Sequence, residues 1–317
     1  MQMNNNLESF DMSMSDRDGF IWFDGELVPW REAKVHVLTH TLHYGMGVFE
    51  GVRAYETDQG TGIFRLSDHT KRLINSAKIL GMKIPFSENE IDEATKLVVK
   101  ENKLKSGYIR PMCFYGSEGM GLRADNLKVH VCIAAWDWGS YLGDDKITNG
   151  IKVKVTDFPK RCEKSMLHKA KASGNYLYSM LALKDALNSG FDEALILDVD
   201  NNVNEGSGEN FFMVKDGILY TPRDHTVLNG ITRQTIIDIS DDLDLEVLEK
   251  DISVDDVKVA DEAFFTGTAA EVTPVVQVDQ SKIGDGTTGK ITRKVQKEYF
   301  DLIRGKNTKY DHWLTRV

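Results

Sequence analysis

Residues able to do chemistry are scattered along this chain in patterns that mostly exclude the commonest sites. His36, His40 and His43 form H-x3-H-x2-H, which on a helix would put three imidazoles on one face and suit a zinc ion. Residues 35–38 look like strand, however, where His40 and His43 would point in opposite directions. No carboxylate stands among them to act as a base, so structural or supporting histidines are the better reading, and no metal is expected. The GMGVFEG stretch (45–51) has the wrong final spacing for a dinucleotide-binding G-x-G-x-x-G, and no G-x-S-x-G or P-loop occurs. What remains is two lysines in HKAKASGNY (168–176), Glu205 in the glycine-rich NEGSGEN turn (204–210), and Arg72. Read one at a time, each is an ordinary solvated group.

These residues need a scaffold. At 317 residues the chain can form two ordinary domains sharing a cleft, or one large one. Its 41% hydrophobic and 28% charged residues are a globular balance. A net charge of −10 repels phosphate backbones and anionic lipid, so neither nucleic acid nor a membrane is an expected partner. No apolar stretch approaches the ~20 residues of a membrane span. Residues 1–19, rich in Met, Asn, Ser and Asp, read as a frayed extension, not a signal peptide. Cys113, Cys132 and Cys162 are odd in number and widely spaced, which suits small buried hydrophobes in a reducing cytoplasm.

Short strands and amphipathic helices alternate irregularly, as in mixed α/β or α+β proteins. Asp24-Gly25 predicts a hairpin within 20–28. Leu73, Ile74, Ala77 and Leu80 share one side of a helix after Asp68, and Ser87 with Glu90 forms a capping box for the next. Strands are expected at 108–115 and 128–135. Residues 136–146 (WDWGSYLGDDK) break the pattern and read as a linker between a small domain at 20–135 and a larger one at 147–317. Beyond it come a half-exposed strand with Ile151, Val153 and Val155, and a helix at 175–188 stopped by Gly190. Strands at 194–198, 210–214 and 218–221 follow, with a helix after Gly230. A last helix carries Ile291, Val295, Tyr299 and Leu302 on one stripe and ends at Gly305.

Taken in order, the quiet residues form a pattern. Glu205-Gly-Ser207, Asn210-Phe-Phe212, Leu219-Tyr-Thr221 and LNGITR (228–233) occur together with HTLHYGMGVFEG (40–51), YIRP (108–111), WGSYLG (138–143), KASGNY (171–176) and TGTAAEVTP (266–274). On these motifs the chain resembles the class IV aminotransferases, the fold-type-IV pyridoxal-phosphate enzymes, and within them the branched-chain-amino-acid aminotransferases. The resemblance runs from Phe20 to Trp313-Leu314. Asn229 departs from it, standing where the family more often has proline, and Lys169 adds a second lysine.

The resemblance implies a two-domain α+β fold of the D-amino-acid-aminotransferase kind, with the active site between the domains. It implies a ping-pong transamination between L-leucine, L-isoleucine or L-valine and 2-oxoglutarate, giving branched-chain 2-oxo acids and L-glutamate. Another class IV enzyme, such as a D-amino-acid aminotransferase or aminodeoxychorismate lyase, and a non-catalytic relative that only binds the cofactor are the alternatives. The cofactor is pyridoxal 5′-phosphate, held as a Schiff base by Lys171. An amine does such work near neutrality only where desolvation and a cationic ring favour its neutral form. Glu205 is expected at the ring nitrogen, Tyr176 at the 3-oxygen, and Arg72, Gly230, Ile231, Thr232, Gly267 and Thr268 around the phosphate, with Leu228 completing the cofactor set. Tyr44, Phe49, Gly51, Met120, Leu122, Trp138 and Tyr141 are the implied substrate pocket. Tyr108 with the N–H groups of Thr268 and Ala269 would take the α-carboxylate, and Arg110, helped by Tyr44 and Tyr141, the distal carboxylate of glutamate. Family members lay a loop of one subunit over the neighbouring site, so a cytoplasmic homo-oligomer is expected, a dimer at least and a hexamer not distinguished.

Overall fold

Asp24 and Gly25 lie at φ 50° and 107°, left-handed conformations suited to a tight hairpin turn, and the chain reverses there between strands Phe20–Phe23 and Glu26–Pro29. The computed structural model describes residues 13–139, 143–162, 164 and 166–317. Among them, eight strands form a first sheet in the order Leu314–Arg316, Gly60–Phe64, Val52–Thr57, Gly107–Tyr115, Val129–Trp136, Phe20–Phe23, Glu26–Pro29, with Gly47–Phe49 pairing on Gly107–Tyr115. Helices Leu66–Ile79 and Glu88–Glu101 cover one face, where Leu73, Ala77, Ile91 and Val98 pack on Val52, Ile109 and Val131. Ser87 and Glu90 make both halves of the capping box.

Nine strands form the second sheet, ordered Val203–Glu205, Glu193–Asp198, Ile151–Arg161, Glu271–Val278, Glu262–Gly267, Asn210–Lys215, Ile218–Thr221, Val247–Glu249, with Ser281–Lys282 at the side of Glu271–Val278. Both its faces are buried. Alternation sends Phe212 and Phe264 to a core with Ile236, Val295 and Tyr299, from helices Ile231–Ser240 and Lys290–Ile303. Phe211 and Phe265 go to the other core, with Leu195 and Met213.

Two features depart from the sequence reading. Residues 35–38 form no strand: they end in a turn, and His40–Tyr44 is a short helix closed by Gly45 at φ 69°. Each histidine takes a backbone partner, His36 Nδ1 from Leu38 N–H, His40 Nε2 with Gly121 O, and His43 Nε2 with Val37 O. In the described part of the N-terminal stretch, Trp30 Nε1 donates to Met14 O at 2.7 Å and Arg31 pairs with Asp16 and Asp18. Residues 1–12 lie outside the described residues. Finally, the C-terminal strand pairs with Gly60–Phe64 of the first sheet. Its few residues carry no periodicity strong enough to show this. Cys113 is buried, and Cys132 and Cys162 are half-buried. Among the described residues no helix is long and apolar enough to cross a membrane.

Candidate active site

Lys171 lies just ahead of helix Tyr176–Asn188, its backbone held on both sides. Phe49 N–H donates to Lys171 O at 3.1 Å, and Lys171 N–H to Ser76 Oγ at 3.0 Å, so the first sheet and its helix Leu66–Ile79 fix the lysine in place. Its Nζ donates to Tyr176 Oη at 2.5 Å. Two connected chambers meet here, a larger one of ≈ 170 Å³ and a smaller one of ≈ 40 Å³, and Lys171, Tyr176, Asn210 and Leu228 line both.

Glu205 ends strand Val203–Glu205 and lines the smaller chamber with Lys171 and Tyr176, its Oε2 accepting from Leu228 N–H at 3.3 Å. Lysine and glutamate thus line one cavity. Lys169 turns away, donating to Asp224 O and Oδ2.

The larger chamber ends at helix Ile231–Ser240, whose N-cap Gly230 offers no side chain. By helix geometry the N–H groups of Ile231 and Thr232 lack an intrahelical partner, which makes this wall an anion site. A Cβ at Gly230 would collide with Asn210 Oδ1, and Asn210 Nδ2 donates to Leu228 O at 3.0 Å, so any side chain here must displace Asn210 from that bond. Gly267 and Thr268 line the same chamber. Arg72 arrives from helix Leu66–Ile79: Nη1 donates to Asn229 O at 2.7 Å, while Nε and Nη2 donate to Glu50 at 2.6 and 2.8 Å. His69 Nδ1 shares Glu50 Oε2 at 2.7 Å. Burial pushes the Glu50 carboxyl up, but the charge and hydrogen bonds of Arg72 and the His69 contact outweigh it and hold it below the usual carboxylate range. Burial holds His69 below its ordinary value, against the pull of Glu50.

Opposite lie Phe49, Gly51, Tyr108, Arg110, Trp138 and Ala269. A Cβ at Gly51 would come within 2.0 Å of Tyr108 Oη, so glycine makes room for the phenol. Arg110 Nη2 donates to Tyr108 Oη at 3.0 Å and its guanidinium lies 4.8 Å from the Phe49 ring. Among the described residues Arg110 has Tyr108 Oη as hydrogen-bond partner and no carboxylate, and its buried Nε has no partner. Arg53 Nη2 fixes the loop beside Trp138 by donating to Trp138 O and Gly139 O.

Three implied pocket residues do not line this cavity. Tyr44, Met120 and Leu122 are 42%, 47% and 88% exposed. They belong to one outer region: the His40 ring packs on Tyr44 at 4.5 Å and bonds to Gly121 O at 2.7 Å. The physical reason is the short helix His40–Tyr44, which presents this surface outward. Tyr141 lies outside the described residues. Sequence reasoning missed Glu50, His69, Asn210 and a buried pair, Glu193 and Glu209. Glu209 lines both chambers, and burial, then the nearby Glu193, pushes its carboxyl well up. Glu50 lies in the two-residue break between strands Gly47–Phe49 and Val52–Thr57, where no local pattern marks it.

A group seated across both chambers would meet the helix start and Arg72 in one, and Lys171 with Glu205 in the other. Pyridoxal 5′-phosphate suits both, and the glycine-lined helix start and its Arg72 neighbour fit the phosphate. Residues 47–278 match the family described as amino-transferase class IV. The chain is 58% identical over 306 residues to a branched-chain-amino-acid aminotransferase of Pseudomonas aeruginosa, covering 96% of this chain and 100% of that one. It is 42% identical over 300 residues to the Escherichia coli protein of the same name, covering 94% and 97%. A solved T.th. branched-chain amino acid aminotransferase with pyridoxamine 5′-phosphate superposes with a TM-score of 0.92 at 44% identity, covering 95% of this chain and 99% of that one.

Proposed function

The chain belongs to the class IV aminotransferases, the pyridoxal-phosphate transferases, and from that premise we propose that it moves the amino group between L-leucine, L-isoleucine or L-valine and 2-oxoglutarate. The observation that carries this reading is the larger chamber, where Phe49 and Trp138 supply apolar wall and Arg110 a guanidinium free of any described acid. Apolar side chains and the distal carboxylate of glutamate then share one pocket. The branched-chain-amino-acid aminotransferases of Pseudomonas aeruginosa and Escherichia coli support the same substrate class.

When bound, the cofactor supplies an electrophilic carbon and a ring that draws electron density from the substrate. Lys171 Nζ is the amine that holds the cofactor and moves a proton at the substrate Cα, with Tyr176 Oη fixing its position at 2.5 Å. Glu205 keeps a proton on the ring nitrogen. The N–H groups of Ile231 and Thr232, with Thr268 and Arg72, take the phosphate, and Gly230, Gly267 and Leu228 shape its wall. Tyr108 and the Thr268–Ala269 backbone orient the α-carboxylate, and Gly51 leaves the room this needs. Tyr44, Met120 and Leu122 act in the cleft of a neighbouring subunit. Their exposure on one outer face supports at least a homodimer. Three cysteines held outside any disulfide support a cytoplasmic setting.

Purified protein assayed with leucine and 2-oxoglutarate should turn over, and with D-alanine and 2-oxoglutarate should not. Turnover of the D-substrate alone would overturn the reading. Arg110→Met should raise KM for 2-oxoglutarate roughly 10- to 100-fold, the loss of a charged hydrogen bond, while sparing leucine.

A further inference from the structure

We infer that Glu50 is a positioning residue for the cofactor phosphate, acting through Arg72 with His69 behind it. The inference rests on the proposed role of Arg72 and adds what makes that arginine usable.

A guanidinium carries five N–H donors in a rigid fork. On this arginine the Nε and Nη2 edge is taken by Glu50, at 2.6 and 2.8 Å, and Nη1 reaches Asn229 O one residue before Gly230. A bidentate grip of this kind sets the plane of the guanidinium as well as its place. Two Nη hydrogens are left over, and Arg72 lines the same chamber as Gly230, Ile231 and Thr232. Glu50 is itself held on several sides. Its side chain is fully buried, its N–H donates to Pro111 O at 2.8 Å, and His69 Nδ1 holds Oε2. His69 and Arg72 are three apart on one helix, so a single turn presents both to the same carboxylate.

The location adds a consequence. Phe49 and Gly51 line the chamber at the substrate side, while Glu50, between them, reaches the phosphate side through helix Leu66–Ile79. One tripeptide therefore fixes a substrate wall and the cofactor anchor together. The ion pair is neutral as a unit, so Glu50 contributes orientation, and the helix N-terminus remains a main source of attraction for the anion.

The test compares pyridoxal 5′-phosphate with pyridoxal, which keeps the ring and aldehyde but lacks the phosphate. Both are titrated by absorbance into cofactor-stripped protein, wild type and Glu50→Gln, Arg72→Gln and the double variant, with folding checked by circular dichroism. Glu50→Gln should loosen pyridoxal 5′-phosphate about 10-fold or more, as expected for a lost charged contact, and leave pyridoxal within about twofold. The double variant should bind no more weakly than Arg72→Gln alone, because the glutamate acts only through the arginine. Equal loosening of both ligands, or additive losses in the double variant, would overturn the inference. If Arg72→Gln itself fails to separate the two ligands, the underlying phosphate assignment falls, and this inference with it. Should Glu50→Gln not fold, His69→Leu leaves the ion pair in place and decides the matter: a selective, smaller loosening of the phosphate form supports the chain of contacts, and no change refutes it.

Discussion

Two glutamates, Glu50 and Glu209, flank the cofactor cleft, both buried, and their surroundings drive them in opposite directions. Glu50 meets Arg72 through both oxygens and His69 through one, and keeps its charge. Glu209 accepts from Gly208 N–H at 3.0 Å and sits near a second buried acid, Glu193, so burial and like charge favour its neutral form. The phosphate end is built from compensated charge. In the proposed reading the ring end sets Glu205 near Glu193 and Glu209, two acids whose charge is suppressed.

The largest effect should come from Glu50→Ala, which leaves a buried guanidinium uncompensated. It should cost about 3–5 kcal/mol of stability by denaturant melting. A loss under about 1 kcal/mol would mean the pair is not buried as described. Next is Gly230→Ala, whose methyl group must displace the Asn210 side chain. Overpacking of this kind costs about 1–3 kcal/mol. It should appear as weaker cofactor retention with the ring end undisturbed, measured as cofactor release on dialysis.

The smallest effect, and the sharpest on the comparison, is in pH dependence. Glu50 is held below its ordinary 4.5, so the unfolded chain takes up the proton first, and this stabilisation is lost as pH falls below that value. His69, held below 6.5, adds a loss in the same direction from that pH downward. Glu209 is raised above 4.5, so the folded chain keeps a proton that the unfolded one has released, and stability falls as pH rises from there. Glu209→Gln should therefore gain on wild type with rising pH, and Glu50→Gln should flatten the acid side. Melting temperatures across pH 4–8 that move in the same direction for both variants would erase the distinction.

Much of this architecture was legible in the residues. The hairpin at Asp24-Gly25, the capping box at Ser87, and the helix after Gly230 each rest on local turn or cap chemistry, and local rules suffice to find them. Lys171, Tyr176 and Glu205 were legible only as an ordered set, since no single spacing marks them. The strands at Gly47–Phe49 and Leu314–Arg316 and the network at Glu50 were not read, because each depends on a partner far along the chain. Residues 35–38 misled for a related reason: an apolar alternation too short to override the turn before His40–Tyr44. Glu50 hid inside a glycine motif rejected for a different fold.

The central claim is that an amine at position 171 and an acid at position 205 hold two ends of one pyridine ring. The visible spectrum of the purified protein reads this directly, before and after leucine is added, in wild type and in Lys171→Ala. Wild type should be yellow and bleach on leucine, and the variant should fail to cycle. A variant that bleaches and recovers with 2-oxoglutarate as wild type does, or a wild type blind to leucine, would contradict the account.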